Sequence, residues 1–178
     1  MFEIGSYVSY RAEGVCVVRD IREERFGALG ETAKYYILSP LADEKSTVFV
    51  PMENEALMAL MRPLLSAEEI LRMVSELRDE RLEWIEESRL RNLKFREIFS
   101  LGDRKQLVVL ANTVAEHNKM ITDLGKKVGS TDENALFRAK TMLFEEFSMT
   151  TDLQSIEEVL PLLRGERSLC AKELVPVE

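Results

Sequence analysis

The sequence predicts an α+β chain of two modules, a small and strongly curled β structure followed by a compact all-α domain. Four short runs rich in β-branched and aromatic residues, separated by turn signals, fill about the first 52 residues. Beyond them, between residues 55 and 65, the apolar period changes from two to 3.6. Capping signatures and apolar helical stripes then follow one another to about residue 165.

Tyr7-Val8-Ser9-Tyr10 is the first strand, Glu13-Gly14 a turn, and the valine-rich run Val15 to Ile21 the second strand. Phe26 to Thr32, with Gly27 and Gly30, reads as a loop. Lys34 to Leu38 is a third strand, ended by Ser39-Pro40 because proline cannot donate to a ladder. Ser46 to Val50 is the fourth, closed by Pro51. Strands this short, joined by tight turns, suit a small barrel or a strongly curled sheet.

In the second module, Ser66-Ala-Glu-Glu69 is a capping box ahead of Ile70, Leu71, Val74 and Leu77 at helical spacing. Residues 80–99 lack Gly and Pro and read as one long helix, stopped by Gly102. Asp103, with Gln106 three residues on, caps the next helix, which carries Leu107, Leu110, Ala111, Val114 and Ile121 near one face. Ser130-Thr-Asp-Glu133 reads as a second capping box, before Leu136, Ala139, Leu143 and Phe147. A short helix after Asp152 carries Ile156, Val159, Leu160 and Leu163, and from Gly165 the polar chain is expected to fray. The expected boundaries are residues 1–60 for the β module, 61–79 for a connector helix, 80–165 for the helical domain and 166–178 for a flexible tail.

With 46% apolar and 31% charged residues, the chain has a globular composition. Its net charge of −8 argues against a free-standing nucleic-acid binder, since phosphate contacts need local positive charge. No apolar run reaches the ~18 residues of a membrane span, and with neither a basic region nor an apolar run at Met1 to Gly5 no export is expected. Two distant cysteines, Cys16 and Cys170, and the single His117 offer no metal spacing, no disulfide framework and no His-based triad, and fit a reducing cytoplasm. No catalytic residue, metal, cofactor or small-molecule substrate is expected. Glu145-Glu146 and Glu157-Glu158 are adjacent pairs that point to different helix faces, and the segment from Gly125 to Gly129 lacks the spacing of a phosphate loop.

The charge is unevenly placed. Residues 88–100 carry the one positive segment, +3, from Arg89, Arg91, Lys94 and Arg96 against Glu97. It follows the only tryptophan, Trp84, and on one helix Trp84 and Arg91 would lie nearly on one face. An aromatic wedge beside phosphate-binding cations suits a nucleic-acid surface. A half-buried packing anchor ringed by Glu80, Glu83, Glu86 and Glu87 is the competing reading.

Taken in order, these pieces resemble the CarD/CdnL family of bacterial transcription regulators. Phe2-Glu-Ile-Gly5, Tyr7-Val8, Tyr10 and Glu13-Gly14-Val15 look like its opening, and Tyr35-Tyr36-Ile37-Leu38, Ser46 to Pro51 and Glu53-Asn54 look like the rest of its polymerase-interacting module. Met61-Arg62-Pro63, Leu65-Ser66, Glu68-Glu69, Glu83-Trp84, Arg96, Gly102-Asp103, Ser130 to Glu133, Arg138-Ala139, Leu143 and Glu145-Glu146-Phe147 are similar to the clostridial and bacillar branch. The resemblance implies a Tudor-like (SH3-like) barrel that binds the RNA polymerase β subunit, with contacts at Glu24, Thr47, Phe49 and Pro51. It also implies a helical domain that touches promoter DNA, weakly and in the minor groove, at the upstream edge of the transcription bubble. Trp84 stands at the family's wedge tryptophan, with Arg89, Arg91, Lys94 and Arg96 as its basic neighbours. The protein is then expected to be a cytoplasmic monomer without enzymatic activity. The alternative is a protein-binding module docking on polymerase or a repair translocase, with the helical domain as scaffold.

Overall fold

The computed structural model describes residues 1–25, 32–43 and 45–174. They form two compact units, one of residues 1–64 together with Leu174 and one of residues 65–173. The first is a five-stranded antiparallel sheet and the second a helical bundle, so the α+β class holds. Among the described residues no helix is long and apolar enough to cross a membrane.

The sheet contains β1 (Tyr7–Tyr10), β2 (Val15–Arg25), β3 (Thr32–Pro40), β4 (Val48–Pro51) and β5 (Met61–Pro63) in the order β4-β3-β2-β1-β5. Among the described residues the sheet is not closed into the expected barrel: β4 pairs with β3 and β5 with β1, and no ladder joins β4 to β5. Both outer strands are short and end in proline, which removes a ladder donor. Met61–Pro63 was expected to begin a connector helix but is instead a strand, with Tyr10 opposite Met61 and Val8 opposite Pro63. The second and third strands outrun their expected lengths, and the Phe26–Thr32 loop lies, apart from Thr32, outside the described residues.

The β core consists of Val8, Tyr10, Cys16, Val18, Tyr36, Leu38, Val50 and Met61, with Phe2, Leu57 and Met58 packed against it. Leu57 and Met58 belong to α1 (Glu55–Met58), capped by the Asn54 side chain accepting from the Leu57 N–H. Phe2 is held twice, by its N–H donating to the Tyr36 hydroxyl at 3.1 Å and by an edge-on ring contact at 6.4 Å. A bulge between Val18 and Asp20 shifts the β2–β3 register, so that beyond it Ile21 rather than Asp20 faces Tyr36.

The helical unit holds α2 (Ala67–Leu77), α3 (Ser88–Leu101), α4 (Arg104–Asp123), α5 (Ser130–Thr150) and α6 (Val159–Leu163). Its core runs from Ile70 and Val74 through Phe95, Ile98, Leu107, Leu110 and Val114 to Leu143, Phe147, Val159 and Leu163. Two caps form as expected. Ser66 and Glu69 make a reciprocal capping box, and the Asp103 carboxylate accepts from the Gln106 N–H at 2.9 Å. Gly102 ends α3 at φ 60, the left-handed conformation that favours glycine.

Three expectations for the helical unit are corrected. Residues 80–87 are not helical, and α3 starts only at Ser88. Tertiary bonds override helix propensity there: the Leu82 N–H donates to Thr113 Oγ1 at 2.9 Å, and Leu82 and Trp84 pack against the core while Glu83 is exposed. Ser130 does not cap α5. The N–H groups of Asp132 and Glu133 both donate to the Gly129 carbonyl, and the Asp132 side chain is engaged elsewhere. Residues 166–173 do not fray. Asp152 and Cys170 exchange backbone and side-chain bonds, Thr151 bridges Ala171, Arg167 pairs with Asp152, and Leu169 packs on the core.

Candidate functional site

Each unit carries its own candidate surface. In the sheet, cross-strand register decides which residues share a face, because side chains alternate along each strand. Tyr36 opposite Val50, and Leu38 opposite Val48, face the β core. Tyr35 opposite Pro51, and Ile37 opposite Phe49, therefore share the other face. Tyr35 and Phe49 meet edge to face with centroids 6.4 Å apart. Past the bulge, Asp20, Arg22 and Glu24 stand opposite Ile37, Tyr35 and Ala33, which puts them on that same face.

The fold thus gathers Glu24, Phe49 and Pro51 on one face, while Thr47 is exposed in the loop just before β4. Glu24 enters as half of an ion pair: Arg22 Nε donates to it at 2.6 Å while Arg22 Nη1 reaches Asp20 at 3.2 Å. Glu24 followed by Asp20 therefore drives the Arg22 guanidinium further toward its charged form. Arg22 and Tyr35 are members of this face that motif reading missed. The parity of positions 22, 24, 35, 49 and 51 was the signal, but only the register fixes it. Cys16 on the core side is inert, its thiol pushed up to about 12 by burial and then by Glu13.

In the helical unit the focus is Trp84. It lies in the extended segment before α3, half-buried, with its ring stacked on His117 of α4 at 3.6 Å and 19°. The Arg91 guanidinium carbon lies 4.5 Å from the Trp84 ring centroid. Arg91 does more than touch the indole. Its Nε and Nη2 donate to the two Asp132 oxygens at 2.9 and 3.0 Å, and its Nη1 donates to the carbonyls of Ile85 and Glu86 at 2.6 and 3.0 Å. Arg91 and Asp132 are 8% and 4% exposed, so this is a buried, bidentate pair. One side chain therefore ties the Trp84 segment to α3 and to the first turn of α5.

The other expected cations differ from Arg91. Arg89, Lys94 and Arg96 are exposed on α3, and Lys94 is paired with Glu97 at 3.0 Å. Arg89, Asn92 and Arg96, spaced three and four apart, share one stripe of the helix; Lys94 falls off it. Asp132 and His117 were missed as members of this site. Asp132 sits in a capping-box pattern that conceals its use, and no sequence signal places His117 against Trp84.

No curated protein matches the chain at a significant level. Residues 2–65 match the family model described as the CarD-like/TRCF RID domain, a protein-interaction domain associated with RNA polymerase binding, so the β unit is similar to that domain.

Proposed function

We propose that this chain is a transcription regulator whose β unit, Tudor-like in kind, docks on the β subunit of bacterial RNA polymerase and whose helical unit touches promoter DNA at the upstream edge of the bubble. The match of residues 2–65 to the RID model carries this reading. The motifs of the helical unit that resemble the clostridial and bacillar branch support its second half. In this reading the protein acts as a cytoplasmic monomer and catalyses nothing.

The docking surface is the face bearing Glu24, Tyr35, Phe49 and Pro51, with the edge of β4 offering backbone groups to a partner strand. Trp84 is the wedge. Inserting an aromatic at a base step costs a few kcal/mol, which polymerase offsets by presenting DNA already distorted. Arg89 and Arg96 meet phosphates, and Arg91 holds Trp84 rather than reaching DNA itself.

Replacing Trp84 by alanine tests the wedge. Open-complex lifetime should fall while polymerase binding is kept, and an unchanged lifetime removes the wedge from the mechanism. A second reading, with the helical unit as a pure scaffold, is favoured by one observation: Trp84 packs on the core and stacks on His117. Pull-down of the polymerase β subunit by residues 1–64 tests the docking of the first reading, which the second shares where its partner is polymerase rather than a repair translocase. The fragment has to reach residue 64, because Met61–Pro63 completes the sheet.

A further inference from the structure

Between α3 and the first half of α5 lies a groove of about 200 Å³ lined by Asn92, Arg96, Phe99, Thr131, Asn134 and Arg138, with Phe95 and Ala135 beneath. We propose that this groove holds a backbone phosphate of the DNA strand that passes Trp84, with Arg96 and Arg138 as its two cationic arms. The proposal rests on the DNA reading above and adds a site to it.

The lining chemistry is one-sided. Two guanidiniums, two carboxamides and a threonine hydroxyl supply donors, and among the described residues no lining side chain is acidic. Nearby carboxylates are occupied or turned away. Asp132 is bound to Arg91 and Glu97 to Lys94, and Glu133 falls outside the α5 stripe formed by Thr131, Asn134, Ala135 and Arg138. Arg96 and Arg138 are exposed. The Arg138 guanidinium carbon lies 4.5 Å from the ring centroid of Phe99, which is itself buried, so the cation is held in place before any ligand arrives. Thr131 sits in the first turn of α5, where the helix dipole favours an anion.

Size argues against an enclosed small-molecule ligand. About 200 Å³ is below the roughly 300–1,000 Å³ of pockets that enclose a small molecule. It suits one phosphate of a polymer running past. The position agrees: Arg91 faces Trp84 and Asp132, while its chain neighbour Asn92 lines the groove. Arg89, one turn earlier on the same stripe, continues the track.

The test is fluorescence anisotropy of the full chain with a labelled duplex containing an unpaired bubble, between 50 and 200 mM salt. Each phosphate contact contributes about 0.9 to the slope of log affinity against log salt. Arg96→Gln and Arg138→Gln should each lower the slope by about that amount. The same term weakens binding roughly eightfold at 0.1 M salt, independent of base sequence. Trp84→Ala should weaken binding and leave the slope alone. If both arginine variants keep the wild-type slope while Trp84→Ala still weakens binding, the groove is overturned and the DNA reading stands. If the wild type binds no DNA at 50 mM salt, both fall. If inorganic pyrophosphate raises the melting temperature of the wild type but not of Arg138→Gln, and no DNA binds, the site belongs to a free anion and the strand proposal is overturned.

Discussion

Asp132→Asn is the perturbation that tests the helical site most directly. It keeps the shape of the side chain and removes the charge opposite Arg91. Both residues are buried, with bonds of 2.9 and 3.0 Å between them. Breaking a buried pair by removing one partner costs roughly 3–5 kcal/mol, because the other charge stays behind. Arg91 retains the carbonyls of Ile85 and Glu86, which puts the expected loss near the low end, about 3 kcal/mol. With a urea m-value of about 1.5 kcal/mol/M, the unfolding midpoint drops by about 2 M. Circular dichroism measures this, and emission from the single tryptophan reports the site itself, since Trp84 is the residue Arg91 holds. The double replacement Arg91→Met with Asp132→Leu separates stability from positioning. It should recover most of the lost stability, as apolar replacements of buried pairs often do. Trp84 should nonetheless become more accessible to a soluble quencher, because the Arg91 bonds that hold the Ile85 and Glu86 carbonyls to α3 are then gone. An Asp132→Asn midpoint within about 0.3 M of the wild type would refute the claim that this pair holds the segment.

Removing residues 166–178 should destabilise the helical unit by about 2 kcal/mol through the loss of Leu169 packing and the backbone bonds to residues 150–152, read by urea titration. The Asp152 carboxyl is held below the usual range by the Cys170 N–H and then by Arg167. A depressed carboxylate stabilises above its unfolded pKa of about 3.9 and loses that contribution as pH falls, so the difference between full and shortened chains should narrow in acid. Ser66→Ala should cost about 1 kcal/mol by removing half of the α2 capping box, measured by the same titration. A thiol reagent should modify exposed Cys170 at once and Cys16 only on unfolding, because Cys16 is buried and its thiol is pushed up to about 12.

What could be read from the sequence was what a local pattern specifies. Runs of β-branched and aromatic residues between turn signals marked the first four strands, and Ser66, Gly102 and Asp103 marked helix ends that form as expected. What could not be read was decided by partners far away in the chain. Met61–Pro63 is too short to show a period and becomes a strand because β1 offers an edge. Residues 80–87 have helix-forming composition but are drawn out by Thr113 on α4 and by the packing of Trp84. The tail looks polar until Asp152 is seen to bind it. At the candidate site the residue types were legible and their use was not. Arg91 stands in a basic run, yet its guanidinium is consumed by an aspartate 41 positions away.

That reassignment bears on how a chain of net charge −8 could touch DNA at all. Of the four cations in the positive segment, Arg91 is buried with Asp132 and Lys94 is paired with Glu97. Arg89 and Arg96 remain, and the α3–α5 groove adds Arg138. Three phosphate contacts give a salt slope of about 2.7, against about 5–9 for proteins making 6–10 such contacts. A surface this sparse belongs with non-specific affinities of about 10⁻⁴ M at physiological salt. Alone in solution it would leave DNA mostly unbound at micromolar protein. Tethered by its partner at an effective concentration of about 1 mM, the same surface would be occupied about nine-tenths of the time. Under the proposed function, the weakness of the helical surface makes docking of the β unit a requirement for DNA contact rather than an accessory to it. A measured slope above about 5 for the full chain would point to phosphate contacts outside α3 and α5, and would remove that requirement.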